Sequence, residues 1–241
     1  MRLSVIIPAY NEEKRLYNTL KEIDKYLLDQ NYDSEIIVVS DGSTDKTANV
    51  VREAMKTIKN LRLIDNKQNK GKGFVVRQGM LEAKGEFRLF TDADNSTTID
   101  HIEKFWPYFE EGFDIVIGSR VVKGAVLDPP QSWFRRQTGR AFRLLTNIFT
   151  GLWEIKDTQC GFKCFTKRSV EDIFPRCRID RFSFDVEMLV IAKLLGYKIK
   201  EVPIRWVNDP HSKVKLKNMV KMGLDLVKIK ANLIKGLYEK K

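Results

Sequence analysis

Leu3-Ser4-Val5-Ile6-Ile7-Pro8-Ala9-Tyr10-Asn11-Glu12-Glu13 joins an unbroken apolar run to a polar motif. A short run of this kind reads as a strand covered on both faces. Leu16, Leu20, Ile23 and Leu27 follow at steps of four, three and four, the spacing of one face of an amphipathic helix. The unit then recurs. Ile36-Ile37-Val38-Val39 is a second buried strand and runs into Ser40-Asp41-Gly42-Ser43-Thr44-Asp45, and Ala48, Val51, Ala54 and Ile58 form the next helical stripe. Leu61–Ile64, Phe87–Phe90 and Ile115–Ile117 read as further strands, with helices near Gly73–Ala83 and Ile99–Phe109. Strand–helix alternation of this order predicts an α/β fold, a mainly parallel sheet flanked by helices.

Beyond Arg120 the pattern changes. Val121–Gln131 carries Gly124, Pro129 and Pro130 and reads as a loop. Trp133–Trp153 reads as a helix with Arg135, Arg136, Arg140 and Arg143 among aromatics. Gly161–Phe165 suits a strand, Phe184–Leu195 a helix, and Lys198–Val207 a strand whose Pro203 implies a sheet edge. A basic helix closes the chain from about Lys213. The expected organisation is one domain over 1–211, in two halves at 1–120 and 121–211, followed by a basic amphipathic helix at 212–241.

The 241 residues carry a formal net charge of +11 and a pI of about 9.5, which implies acidic partners: phosphates, nucleic acid or an anionic membrane. Cys160, Cys164 and Cys177 lack CxxC spacing, so neither a disulfide framework nor a structural zinc site is expected, and the composition suits a reducing cytosol. The longest uncharged apolar run, Leu144–Trp153, is ten residues, too short to span a bilayer. Surface attachment stays open. From Lys213 onward there are nine Lys against Asp225 and Glu239, an excess of +7. Leu216, Met219, Val220, Leu226, Val227, Leu233, Ile234 and Leu237 recur there near helical spacing. This pattern suits a helix lying in a membrane interface, and equally one packed on the domain.

Ligands of open parallel sheets bind beyond the carboxyl ends of the strands. Four strand runs end in polar motifs here: Pro8-Ala9-Tyr10-Asn11-Glu12-Glu13, Ser40-Asp41-Gly42-Ser43-Thr44-Asp45, Thr91-Asp92-Ala93-Asp94 and Gly118-Ser119-Arg120. Any one could be a turn with a helix cap; four at one edge indicate a constructed site. Strand periodicity would point the Asp92 and Asp94 carboxylates the same way. Two like charges so close call for a cation, and hard oxygen ligands select Mg²⁺ or Mn²⁺, usually shared with a substrate diphosphate. The competing assignment is a helix cap by Asp94 or Ser96. No P-loop, no GxGxxG after the first strand and no GxSxG elbow is present. His101 and His211 stand apart, and His101 reads as a surface residue. Nucleic-acid binding has only the net charge in its favour, since no aromatic–basic recognition motif accompanies it.

The motifs already quoted, with Asn69-Lys70-Gly71-Lys72-Gly73, resemble the family-two inverting glycosyltransferases of the GT-A fold. Gly118-Ser119-Arg120, Asp157-Thr158-Gln159-Cys160-Gly161-Phe162-Lys163, Phe184-Asp185-Val186-Glu187 and His211-Ser212-Lys213 are similar to the polyprenyl-phosphate branch, nearest its dolichyl-phosphate glucosyl members. Ser96 stands where the mannosyl members usually have Gln, and Asn208 and Asp209 stand where an Arg is expected, which also favours the glucosyl side. The resemblance implies an inverting transfer of a sugar, glucose from UDP-glucose, onto a polyprenyl phosphate. The alternatives are a sibling using GDP-mannose or another donor, or a saccharide acceptor.

The resemblance also implies roles. Pro8, Ala9, Tyr10, Glu12, Asp41, Lys72, Asp92, Ala93 and Lys213 would bind the nucleotide, and Asp92 and Asp94 the metal. Arg120 and Arg135 would bind the acceptor phosphate, for which guanidinium forks are suited. A phosphate monoester is largely dianionic at neutral pH and needs little help from a base. Asp157 and Asp185 are the candidate carboxylates should one act. Asp185 is expected to orient the sugar or serve weakly as a base; the simpler alternatives are a turn residue at Asp157 and a helix cap at Asp185. With a lipid acceptor, the expected location is cytoplasmic, peripheral on the inner face of the membrane.

Overall fold

The computed structural model describes residues 1–130, 133–207 and 216–239, with the side chains of 134–136 and 216–220 outside that description. The elements run β1 (Leu3–Ala9), α1 (Leu16–Leu28), β2 (Ser34–Asp41), α2 (Thr47–Ala54), β3 (Leu61–Asn66), α3 (Lys72–Glu82), β4 (Phe87–Thr91), a 3-10 turn (Ile99–Lys104), α4 (Trp106–Glu110) and β5 (Ile115–Ser119). They continue with β6 (Val126–Asp128), α5 (Trp133–Thr150), β7 (Phe162–Thr166), α6 (Lys167–Ile173), α7 (Phe184–Leu194), β8 (Ile199–Pro203), β9 (Arg205–Val207) and α8 (Leu216–Ile234).

Among the described residues, seven strands form one sheet in the order β3-β2-β1-β4-β7-β5-β8. β7 runs antiparallel to both neighbours, and the other pairings are parallel. The carboxyl ends of β1, β2, β4 and β5 therefore share one edge, as the four polar motifs require. The sheet separates two apolar layers. Leu3, Val5 and Ile7 of β1 face one side with Leu16, Leu20, Ile23 and Leu27 of α1. Ile6 faces the other with Val75, Val76 and Met80 of α3 and the apolar run of α7. All are buried, so truncating any of the Leu, Ile or Met side chains among them to Ala would cost about 2–5 kcal/mol.

Several details depart from expectation. The helix expected over Ile99–Phe109 is a 3-10 turn followed by α4, because Pro107 lacks an amide and its ring would clash with the carbonyl one turn earlier. The loop over 121–131 contains β6, which pairs in parallel with β9. Pro203 does end the edge strand β8. His101 is buried rather than on the surface: Nε2 accepts the Arg205 amide at 2.9 Å, and burial lowers its pKa, keeping the ring neutral. The boundary expected at 211/212 lies outside the described residues.

The closing helix packs on α5. Leu226 and Ile229 join the core with Phe142 and Phe149 beside them. Its far end is pinned where Tyr238, buried, donates to Glu187 Oε1 at 2.6 Å. Glu187 in turn accepts the amides of Arg178 and Ile179, both at 2.8 Å. Packing on the domain thus accounts for one face of α8. Leu224, Val227 and Ile234 on the other face are each at least half exposed.

Candidate active site

The site is assembled from strand ends. Pro8 and Ala9 are the buried last residues of β1, and Tyr10 follows, exposed. Asn11 takes φ of 55°, a left-handed conformation that Asn tolerates, and its side chain accepts the Thr44 amide at 2.9 Å. Glu12 is held by ion pairing with Arg15, and its amide donates to Thr47 Oγ1 at 2.7 Å. The motifs after β1 and β2 are thus cross-braced into one rim.

Asp41 ends β2, buried. One carboxylate oxygen accepts the Lys70 amide at 2.7 Å and the other the Gly71 amide at 2.9 Å. Burial is the larger influence and raises its pKa against those two hydrogen bonds. Asp41 therefore holds the Asn69–Gly73 loop from the carboxyl edge of the sheet. Gly71 has φ of 110°, and a Cβ there would lie 2.3 Å from the Asp180 carbonyl, so no other residue fits without moving backbone.

Asp92 and Asp94 both lie past the end of β4, so a turn rather than strand alternation brings them together. Asp94 Oδ1 accepts the Ser96 amide at 3.0 Å. Burial and then the Asp92 charge push its pKa up. Thr98, not Asp94 or Ser96, precedes the 3-10 turn, which removes the helix-cap alternative. Ala93, between them, is buried and its carbonyl accepts from Thr19 Oγ1 at 2.9 Å. Lys72, at the start of α3, places Nζ 2.5 Å from Asp92 Oδ1. Burial is the largest single influence and disfavours that ammonium, but the surrounding carboxylates, Asp92 first and then Asp185 and Asp94, together outweigh it and raise the pKa.

Arg120 follows β5 and is clamped by Asp157. Nε and Nη2 donate to the two carboxylate oxygens at 2.8 Å each, and the Arg120 amide donates to Oδ2 at 2.9 Å. The guanidinium lies over the Trp206 ring at 5.4 Å. Burial alone would raise the Asp157 pKa; Arg120 overcomes it and holds the carboxyl at about 2. So firmly paired a carboxylate suits positioning Arg120 far better than accepting a proton. Its loop is braced by Glu201, which accepts the amides of Lys156 and Asp157 at 2.8 and 2.9 Å.

Asp185 sits in the first turn of α7, two residues beyond Ser183 at the cap position. It is buried against Lys163, whose Nζ is 2.6 Å from Oδ1 and also donates to the Cys160 carbonyl. Burial pushes the Asp185 carboxyl up, and Lys163 and then Lys72 pull it back. Arg135 lies in the first turn of α5, its side chain outside the described set, and Lys213 falls outside the described residues.

Three contributors carried no role in the sequence reading: Lys163, Gly161 and Glu201. A lysine inside the apolar strand Phe162-Lys163-Cys164-Phe165 is itself a signal of a buried charge awaiting a partner. Gly161 abuts the acidic pair: a Cβ there would lie 2.0 Å from Asp92 Oδ2.

Among the described residues no group of three or more His, Cys, Asp and Glu gathers as a metal cage. Two carboxylates with positions left for substrate oxygens are the donor set that Mg²⁺ or Mn²⁺ shares with a diphosphate. A paired acidic turn, an anchored arginine and a Gly-Lys-Gly loop thus meet at one edge of a mainly parallel sheet of the GT-A type.

Residues 4–174 match the model of the family "Glycosyl transferase family 2", and the chain belongs to that family. It is 38% identical to a dolichyl-phosphate β-glucosyltransferase of Trichomonas vaginalis over 94% of this chain and 72% of that one. It is 34% identical to the dolichyl-phosphate β-glucosyltransferase of Homo sapiens over 98% and 77%. Among solved structures, glucosyl-3-phosphoglycerate synthase of Mycobacterium tuberculosis, determined with Mn²⁺, UDP and its product, matches 95% of this chain and 78% of that one, with a TM-score of 0.67 at 19% identity. Mannosyl-3-phosphoglycerate synthase of Rubrobacter xylanophilus covers 98% and 74%, with a TM-score of 0.70 at 16% identity. The two structures support the fold.

Proposed function

We propose that this chain is a hexosyltransferase that moves glucose from UDP-glucose onto a polyprenyl phosphate of the dolichyl type, inverting the anomeric carbon. The observation that carries it is the placement of the Asp92–Asp94 turn and the Asp157-anchored Arg120 at one sheet edge. The curated relatives, named dolichyl-phosphate β-glucosyltransferases, supply the substrates.

The rim formed by Pro8, Ala9, Tyr10, Glu12 and Asp41 takes the nucleoside, and residues 1–120 serve as the donor half. Asp92 and Asp94 hold Mg²⁺ or Mn²⁺, which when bound supplies charge for the departing diphosphate. A neighbour solved with Mn²⁺ and UDP supports a divalent ion here. Arg120, with two nitrogens committed to Asp157, turns its remaining N–H groups to the acceptor phosphate, joined by Arg135 from 121–211. They offset repulsion between two anionic substrates and align the attacking oxygen. That oxygen is already anionic, so Asp185 orients the sugar rather than removing a proton. Lys213 completes the nucleotide site.

The acceptor is a lipid, and among the described residues no helix is long and apolar enough to cross a membrane. We assign membrane contact to the paired α5 and α8. Leu144, Ile148 and Trp153 beside α5's outer face and Leu224, Val227 and Ile234 on α8 are each at least half exposed. Lys221, Lys228, Lys230 and Lys235 accompany them, and lysines near anionic lipid contribute about 1 kcal/mol each. Unpaired Cys160, Cys164 and Cys177 suit the reducing, cytoplasmic face.

The test is incubation with a short polyprenyl phosphate, Mg²⁺ or Mn²⁺, and UDP-glucose, GDP-mannose or UDP-N-acetylglucosamine in parallel. Mass spectrometry should find hexosyl phosphopolyprenol with UDP-glucose. Product from GDP-mannose alone, or none without a saccharide acceptor, overturns this assignment.

A further inference from the structure

Lys72 is the least explained of the site's charged groups. Its backbone is fixed on both sides. A Cβ at Gly71 would meet the Asp180 carbonyl at 2.3 Å, and one at Gly73 would meet the Ile179 carbonyl and Phe184 Cβ at 2.6 Å. The chain is thus pressed against 179–184, which fixes where the Lys72 side chain starts. Nζ ends 2.5 Å from Asp92 Oδ1. The other nearby ammonium, Lys163, is buried in its own pair with Asp185. Asp92 therefore draws its positive partner from Lys72.

We propose that Lys72 is a resident cation which occupies the Asp92 carboxylate until metal and diphosphate arrive together. This rests on the reading of Asp92 and Asp94 as metal ligands. Around the pair stand three carboxylates, Asp92, Asp94 and Asp185, and two ammonium groups, Lys72 and Lys163, while the more distant Arg120 and Arg15 are matched by Asp157 and Glu12. A divalent ion entering alone must displace the Lys72 ammonium from Asp92 and leaves the cluster with surplus positive charge. A diphosphate entering with the ion removes both obstacles, because it supplies the negative charge and a new partner for Nζ. The lysine then shifts from carboxylate to diphosphate, a move its flexible four-carbon stem allows. Ion and donor binding become coupled, each strengthening the other by the same factor.

The experiment is Mn²⁺ titration by electron paramagnetic resonance on the full chain, with and without UDP, for wild type, Lys72→Met and Lys72→Gln. Thermal melts check that each variant is folded. Wild type is expected to bind Mn²⁺ weakly alone and much more tightly with UDP. Both variants are expected to bind Mn²⁺ alone roughly tenfold more tightly than wild type, the result of removing a competing charge next to the ligand. They are also expected to bind UDP more weakly and to lose most of the coupling. Unchanged or weaker binding of Mn²⁺ alone in both variants overturns the role given to Lys72. If wild type binds no Mn²⁺ even with UDP, the metal reading itself fails and this inference with it. Intact coupling in wild type with no gain in the variants leaves the metal reading standing and removes only Lys72.

Discussion

Lys163 and Asp185 form an ion pair beneath the site, Nζ 2.6 Å from Oδ1, with both side chains almost wholly out of solvent. β7 supplies the lysine and α7 the carboxylate, so the pair ties the one antiparallel strand to the helix that backs the Gly71 loop. Such a pair contributes little net stability over an apolar replacement, but breaking one side leaves a buried charge unmatched.

Lys163→Met should therefore destabilise the fold by about 3–5 kcal/mol in urea unfolding. The double variant Lys163→Met, Asp185→Leu should recover much of that loss while remaining inactive. A single-variant cost below ~1 kcal/mol would show that Asp185 is compensated by another group.

The Arg120–Asp157 clamp predicts an acid limit. Asp157 is held at about 2, below the ordinary value of 3.8, so its contribution is complete above pH 4 and vanishes as pH falls toward 2. The contribution is of order 2 kcal/mol for this well-buried group. Asp157→Asn should show lower stability at pH 7 and a shallower decline from pH 4 to 2 than wild type. Equal slopes in the two proteins would contradict the clamp.

Gly161→Ala separates function from folding. The added methyl intrudes on the Asp92 carboxylate, the movable end of a side chain, rather than on backbone. Turnover should fall at least about tenfold by displacement of the proposed metal ligand, while stability changes by less than ~1 kcal/mol. Normal turnover with a normal melting curve would mean that Asp92 has room to move without consequence.

The exposed apolar side chains of α5 and α8 should govern lipid binding. Replacing Ile148, Trp153, Leu224 and Val227 by Ser removes apolar surface that is already solvent-exposed, so folding should persist. Flotation with anionic vesicles should drop, and transfer to a long-chain acceptor should suffer more than transfer to a short, soluble one. Undiminished flotation would place the membrane contact elsewhere.

The sheet edge was legible because it depends on local patterns. Leu3–Ala9 and Ile36–Val39 are buried runs, and the polar residues after them must emerge at the carboxyl ends of parallel strands. The insertion of β7 between β4 and β5 was not legible, because nothing within Phe162–Thr166 encodes its partners or direction. That pairing brings Lys163 opposite Phe90 and Ile117 and so to Asp185, and the same rearrangement sets Gly161 against Asp92. Asp41 and Asp157 are named as candidates by the sequence, but their hydrogen bonds to Lys70, Gly71 and Arg120 depend on loops meeting across long stretches of chain. His101 went astray for the same reason, since its partner, the Arg205 amide, comes from β9. Expectations at Arg135 and Lys213 concern side chains outside the described set.

The most direct test of the account is an anomalous difference map from crystals grown with Mn²⁺ and UDP. One strong peak is expected, joined to the Asp94 carboxylate and the diphosphate, with Asp92 beside it and Lys72 withdrawn onto the phosphates. A nucleotide bound with Asp92 and Asp94 turned away from its diphosphate, or a peak held by other residues, would contradict it.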